Sequence, residues 1–339
     1  MSVKVGINGV GRIGKGCIRA ALDNPNVEVV AINTTREPEL IAHLLKYDSI
    51  YGRLNANIEV EDKALIIDGK KITILADRNP ANLNWGDCDV DIVIEATGRF
   101  RRRAEAAAHL NGGARRVVIS APSPDCDLTV VMGVNERDYN PQEHIVLSNA
   151  SCTTNALAPL VKVIHEHFCV EQLFMTTVHA YTNDQHLLDL GHSDYRRARA
   201  AAVSMIPTTT GAAQAVTKVI PELSGKLDGM AVRVPSAAVS MIDLVVRLRR
   251  DVTAQGINDV FAAAAMGQMH GIIDVSNEPL VSADYRGSSF SSTVDALSTM
   301  VIGGNLAKII AWYDNEWGYC CRLLDLAAYI GAQERIALK

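Results

Sequence analysis

Apolar positions alternate over residues 3–7, recur at helical spacing over 12–22, and form a second β-branched run over 27–32. That pattern predicts a strand, a helix and a strand within about 30 residues. Strand-like runs at 71–75, 90–94, 116–120 and 145–147, with helix formers between several of them, notably 101–110, carry the alternation to about residue 150. This order predicts an α/β fold built on a doubly wound, mostly parallel sheet of the Rossmann type. Beyond 150 the pattern changes to longer β runs at 226–234 and 238–248, a helix at 257–265 and few strand–helix–strand alternations, which predicts an α+β catalytic domain. The tail regains helical spacing at Leu323, Leu324, Leu326, Ala327 and Ile330. The expected organisation is therefore a first domain over 1–150, a catalytic domain over 151–315, and a terminal helix over 316–339 that packs back on the first.

Composition narrows the classes. A chain of 339 residues with 48% hydrophobic and 21% charged side chains buries substantial cores and is not intrinsically disordered. The 5% aromatic share argues against a carbohydrate-stacking protein. With 33 basic against 38 acidic residues and no long run of either, nucleic acid is not an expected partner. The amino terminus lacks a basic segment followed by an apolar one, and no window offers about 18 uninterrupted apolar residues, so a cytoplasmic protein with no membrane association is expected. Seven cysteines, an odd number without C-x-x-C pairing, read as reduced thiols with no metal site, and any one of them could serve as a nucleophile.

Gly9, Gly11 and Gly14 form G-x-G-x-x-G between the first predicted strand and helix. In that setting Gly9 permits the turn, Gly11 admits a pyrophosphate to the backbone, and Gly14 lets helix and strand pack closely, with the phosphates facing helix N–H groups. The plainer alternative is a set of glycines that only close a turn. At the end of the second strand, where an acidic residue normally holds the adenosine ribose of NAD, the chain reads Asn33-Thr34-Thr35-Arg36. Hydroxyls and a guanidinium at Thr34 and Arg36 favour the 2′-phosphate of NADP or use of both cofactors; alternatively Thr34 bonds the NAD ribose and Arg36 is a solvated charge.

Cys152 stands where a helix should begin, between a strand ending near 147 and the apolar segment 156–164, so dipole and free N–H groups should lower its thiol pKa. Pro159 inside that helix should kink it. His179 closes a predicted strand and is a candidate base, with a satisfied structural histidine as the alternative. The run 196–199 and the Thr208-Thr209-Thr210-Gly211 stretch supply guanidinium, hydroxyl and N–H groups suited to anions, or else a basic solvated face beside a loop.

Taken together, residues 6–14, 150–155, 179–185, 208–213 and 312–319 resemble phosphorylating glyceraldehyde-3-phosphate dehydrogenase, in order and over residues 3 to about 330. The resemblance implies that Cys152 attacks the aldehyde, that His179 takes the proton, and that the resulting thioester is cleaved by inorganic phosphate to an acyl phosphate. It implies that Thr182 and Arg233 hold the phosphate of glyceraldehyde 3-phosphate with Arg197 close by, and that Ser151, Thr153, Thr210 and Gly211 hold the attacking phosphate. For the cofactor it assigns Arg12 and Ile13 to the pyrophosphate, residue 34 to the ribose, and Arg78, Thr97 and Ser120 to the adenine and linking region. Asn315 would hold the carboxamide and Tyr319 would pack against the nicotinamide ring. A homotetramer is implied as well.

The chain departs from the family pattern in three places. Position 156 is alanine where a second cysteine is usual, residue 34 is threonine in place of aspartate, and Leu190 is followed by Gly191 where proline is common. Thr34 points to NADP and Leu190 to NAD, so use of both cofactors with NADP favoured is the expectation. Two other readings stand beside this one: an erythrose-4-phosphate dehydrogenase, which differs at the 180–183 and 209–211 stretches, and a non-catalytic nucleotide-binding homologue, which would lack the nucleophile, the histidine or the phosphate arginines.

Overall fold

A computed structural model describes residues 2–337, so the parts of the expected 1–150 and 316–339 segments at residues 1, 338 and 339 lie outside the described residues. The chain forms two compact units, one of Met1–Met132, Glu136–Ser151 and Cys320–Lys339, the other of Gly133–Asn135 and Cys152–Tyr319.

The first unit runs β1 (Val3–Asn8), α1 (Arg12–Ala21), β2 (Val27–Asn33), α2 (Pro38–Lys46), the short β3 (Tyr47–Asp48) and β4 (Gly52–Arg53), then β5 (Ile58–Glu61), β6 (Ala64–Ile67), β7 (Lys70–Leu75) and β8 (Ile92–Glu95). It continues with α3 (Arg103–Ala106), β9 (Arg116–Ile119), β10 (Leu128–Thr129) and β11 (Val146–Ser148). Nine strands form one sheet in the order β10-β11-β9-β8-β1-β2-β7-β6-β5. The pairs from β10 to β7 are parallel, and β6 and β5 add an antiparallel edge. Central strands covered on both faces must be apolar throughout, and all four residues of β8 are buried. Strand order reverses between β1 and β8, so Asn8, Asn33 and Glu95 end neighbouring strands where open α/β sheets bind ligands.

Two boundaries differ from the sequence pattern. β8 begins at Ile92 rather than residue 90, because the Val90 N–H closes a turn on the Trp85 carbonyl (3.1 Å). The helix expected over 101–110 is α3 followed by a 3-10 turn over Ala107–Gly112, and Gly112 passes so close to Leu83 that a Cβ there would lie 1.7 Å from the Leu83 carbonyl oxygen.

The second unit contains α4 (Cys152–Phe168), β12 (Val170–Ala180), β13 (Ile206–Thr209), α5 (Ala212–Val219), β14 (Leu227–Val234), β15 (Ser240–Leu248), α6 (Ala254–Met266), β16 (Ile273–Ser276), β17 (Ser292–Asp295), β18 (Met300–Ile302) and β19 (Leu306–Tyr313). Its mixed sheet has the order β13-β14-β12-β15-β19-β17-β16, with β18 on β19. α4 lies over β12, β15 and β17 with α5 and α6 beside it. It runs unbroken through Pro159, and the residues from Thr153 to Val161 are all buried, so packing outweighs the roughly 3 kcal/mol of an interior proline.

The last helix, α7 (Trp317–Ala337), contributes Cys320 onward to the first unit. There Cys320 Sγ faces the Ile13 carbonyl (3.4 Å), Gly331 sits against Val3, and Glu334 pairs with Arg116 at 2.8 Å. No helix among the described residues is long and apolar enough to cross a membrane.

Candidate active site

The turn after β1 answers to two kinds of demand. Gly9 has φ 97°, and a Cβ there would lie 2.8 Å from Thr97; a Cβ on Gly14 would lie 2.0 Å from the Gly9 carbonyl oxygen. Both glycines are therefore required by the protein's own packing. Gly11 is not: the position of its Cβ has no atom within 4 Å. Gly11 caps α1 without a side-chain hydrogen bond, and the first turn holds no acidic residue. The space a Cβ would fill thus lies beside the N-terminus of α1, which suits a pyrophosphate. The Arg12 guanidinium is bonded to Asp48 and stacks over Tyr51 at 5.6 Å, and Ile13 beside it is half-buried. Burial pushes the Asp48 carboxyl up, but its bonds from Arg12, Tyr51 and Ile50 outweigh that and hold it below the usual range.

Under this turn runs a buried polar network. His109 Nδ1 accepts the Trp85 indole N–H (3.0 Å), so its Nε2–H donates to Glu95 Oε2 (3.0 Å). The Asn8 amide also donates to Glu95, and Asn33 donates to Asn8 Oδ1 at 2.7 Å. Thr97 gives both its N–H (2.8 Å) and its hydroxyl to Glu95 Oε1, and the Ser120 N–H bonds the Glu95 carbonyl at 2.9 Å. Sequence reasoning did not single out Glu95, which closes the apolar run of β8, or His109, which lies in the 3-10 turn after α3. Thr34 is buried and its hydroxyl oxygen accepts the Arg36 N–H at 3.2 Å. Arg36 and Arg78 are exposed, just beyond the neighbouring strands β2 and β7.

In the second unit, strand register does what sequence distance hides. β12 and β14 are parallel with His179 opposite Arg233, and Ser240 of β15 lies opposite Tyr313 of β19. Cys152 is the first residue of α4, reached through Ala150 in the left-handed region at φ 53°. Its Sγ lies 3.5 Å from His179 Nε2. His179 Nδ1 is 2.6 Å from the Ala180 carbonyl and 2.9 Å from Arg233 NH1; the tautomer with its proton on Nδ1 satisfies the carbonyl and turns the Nε2 lone pair to the sulfur. Arg233 NH1 donates to the same carbonyl (3.1 Å) and to Thr182 Oγ1 (3.4 Å). Burial, and then the Arg233 charge, push His179 down to about 3, so it is a neutral base. The expected lowering of the thiol pKa is overturned: burial pushes Cys152 up, more than Arg233, the Thr153 hydroxyl and the backbone N–H groups draw it down. The resting pair is thiol and imidazole, and the sulfur ionises by handing its proton to Nε2.

Around this pair stand groups suited to anions. Arg197 donates to Asp184 (2.7 Å), Thr208 Oγ1 (3.0 Å) and the Thr209 carbonyl (3.1 Å), which ties the segment after β12 to β13. Thr210 Oγ1 accepts the Ala212 N–H (3.2 Å), and Gly211 caps α5 with open space where its Cβ would be. Thr153 is buried with its hydroxyl 3.0 Å from Tyr313 Oη, which also meets Thr177 Oγ1 at 2.8 Å. The Thr153 hydroxyl is thus held by Tyr313, and the half-buried Ser151 precedes the nucleophile. Tyr313, edge-on to His179 at 6.0 Å, is a supporting residue that sequence reasoning passed over although it lies within a motif. Asn315 and Tyr319 are both buried, Tyr319 in the first turn of α7. All seven cysteines are free thiols.

Comparison with known proteins agrees with this geometry. Residues 3–103 match the family profile "Glyceraldehyde 3-phosphate dehydrogenase, NAD binding domain", and residues 151–315 match its C-terminal domain. The chain is 58% identical over 333 residues to glyceraldehyde-3-phosphate dehydrogenase of Geobacillus stearothermophilus, covering 98% of this chain and 99% of the relative. It is 56% identical to glyceraldehyde-3-phosphate dehydrogenase 1 of Bacillus subtilis (97% and 98% covered) and 50% identical to glyceraldehyde-3-phosphate dehydrogenase 2 of Streptomyces avermitilis (98% and 100%).

Proposed function

The chain belongs to the glyceraldehyde-3-phosphate dehydrogenase family, and from that premise we propose that Cys152 is its nucleophile and His179 its acid–base group. The reaction is the oxidation of glyceraldehyde 3-phosphate with uptake of inorganic phosphate. The observation that carries the assignment is the 3.5 Å approach of Sγ to His179 Nε2.

Nε2 takes the thiol proton as Sγ bonds the aldehyde carbon, and the imidazolium returns it to the new alkoxide, giving a thiohemiacetal. Bound dinucleotide supplies the acceptor for the hydride that leaves that carbon. Nε2 removes the hydroxyl proton as the thioester forms. A phosphate oxygen then attacks the thioester, and the imidazolium protonates the departing sulfur, which restores the starting pair. The Cys152 N–H and the His179 ring support the oxyanions. Arg233 and Thr182, with Arg197, hold the substrate phosphate; Ser151, Thr153, Thr210 and Gly211 hold the attacking one. Gly9, Gly11, Arg12, Ile13, Gly14, Thr34, Arg36, Arg78, Thr97, Ser120, Asn315 and Tyr319 serve the dinucleotide.

Both cofactors are used, with NADP favoured. Thr34 puts no carboxylate at the end of β2, and Arg36 and Arg78 flank that edge with two exposed guanidinium groups. The protein works in the cytoplasm, in keeping with seven free thiols, and assembles as a homotetramer.

Cys152→Ser should bind NAD as the wild type does but form no acyl-enzyme in a burst assay with glyceraldehyde 3-phosphate; a retained burst would sink the assignment. Arg36→Ala should raise the Michaelis constant for NADP by about tenfold and leave that for NAD within about twofold, since only NADP carries the extra phosphate. Equal effects on both cofactors would remove Arg36 from the phosphate site.

A further inference from the structure

Ser240 is the first residue of β15, and only 1% of its surface is exposed. The residue before it, Val239, has φ 67°, a left-handed conformation that a β-branched side chain adopts only when its surroundings impose it. Those surroundings are visible. The Tyr181 N–H donates to the Ser236 carbonyl at 3.0 Å, and the Ser236 hydroxyl donates to the Ala238 carbonyl at 2.9 Å, which anchors the turn beside the end of β12.

The turn sets the Ser240 hydroxyl among three groups, the Ala180 N–H, the Asn315 amide and the Tyr313 hydroxyl. It accepts the Ala180 N–H at 3.1 Å and donates to Asn315 Oδ1 at 3.0 Å. The Ala180 N–H can only donate and takes one lone pair of Ser240; with the Tyr313 hydroxyl donating to the other, the Ser240 proton goes to Asn315. This matters because the two ends of an asparagine amide have nearly the same shape and differ only in what they bond. One orientation offers a ligand two N–H donors, the other a lone acceptor. With Oδ1 held by Ser240, the NH2 end is the one left for a ligand. We propose that Ser240 is a positioning residue that fixes the orientation of the Asn315 amide, so that Asn315 meets the nicotinamide carboxamide as a donor and selects its carbonyl oxygen. The carboxamide is thereby held to one rotation about its bond to the ring.

This inference rests on Asn315 as the carboxamide-holding residue, and binding measurements separate the two claims. Calorimetric titration with NAD and with ADP-ribose, which lacks the nicotinamide, is made on the wild type, Ser240→Ala, Asn315→Ala, the double variant and Ser240→Thr. Ser240→Ala should weaken NAD about 3- to 10-fold, the worth of one buried hydrogen bond, and leave ADP-ribose unchanged. The double variant should bind NAD no more weakly than Asn315→Ala, because Ser240 acts through Asn315. Ser240→Thr, which keeps the hydroxyl, should stay within about twofold of the wild type. Unaltered NAD binding in Ser240→Ala, equal losses of NAD and ADP-ribose, additive losses in the double variant, or a threonine variant as weak as the alanine one would each overturn the proposal. Wild-type NAD binding in Asn315→Ala would instead remove the reading of Asn315 on which it stands.

Discussion

His179 shows how one buried side chain ties chemistry to stability. Its imidazole is kept neutral because burial and Arg233 disfavour the cation, and that same penalty makes it a base at neutral pH. The folded pKa, about 3, lies below the ordinary 6.5, so the unfolded chain binds the extra proton first as the pH falls. The contribution of His179 is complete above about pH 6.5 and is lost on the way down towards pH 3, at no more than about 1.4 kcal/mol per pH unit. His179→Asn removes this linkage. Between pH 7 and pH 5 its unfolding free energy, read from urea denaturation, should fall by about 2 kcal/mol less than that of the wild type. The same variant should lose about 10²–10⁴ in kcat at neutral pH. Parallel acid sensitivity in the two proteins would show that His179 is not the buried neutral base described here.

The glycine-rich turn makes a sharper test at the scale of an element, because the fold and the ligand ask different things of its glycines. Gly14→Ala drives a Cβ to 2.0 Å from the Gly9 carbonyl, so β1 and α1 must separate and the protein should lose about 2–4 kcal/mol of stability. Gly11→Ala meets nothing within 4 Å and should keep the wild-type melting temperature within about 2 °C, while dinucleotide affinity falls at least tenfold. A Gly11→Ala protein with undiminished affinity would mean that no phosphate approaches that backbone. This turn was legible in the sequence because its whole logic is local: three glycines, one strand, one helix. The start of α4 at Cys152 and the place of His179 near the end of β12 were legible for the same reason. Arg233 beside His179 was not, since register between strands more than 50 residues apart puts them together. The thiol pKa was misjudged because the helix N-terminus is written in the sequence, whereas burial belongs to the fold. α2 and β5 escaped the pattern because short, half-exposed elements carry little periodicity, and β6 because its buried run is only four residues long.

The mixed sheet of the second unit has one face under α4, and its other face poses the remaining question of the whole molecule. Phe174 of β12 pairs with Val245 of β15, Val245 with Lys308 of β19, and Lys308 with Met300 of β18, so one row of side chains crosses four strands. Phe174 is 69% exposed, and Val245 and Met300 are exposed with it, while the alternate positions Leu173 and Met175 are buried. Ile302 and Met230 extend the apolar row. An apolar face crossed by the Lys308–Asp243 ion pair is poorly suited to water and well suited to a second copy of itself across a twofold axis. A second exposed apolar set, Leu187, Leu188, Tyr195 and Val203, follows β12 and is suited to another contact. Two independent faces are what a tetramer with dihedral symmetry requires. Light scattering should therefore give about four chain masses for the wild type at micromolar concentration. Phe174→Asp should give a smaller assembly whose subunits stay folded, because the charge replaces a ring that a single chain leaves in water and burdens only the interface. A monomeric wild type, or a Phe174→Asp protein that remains fully assembled, would show that this face has a different partner.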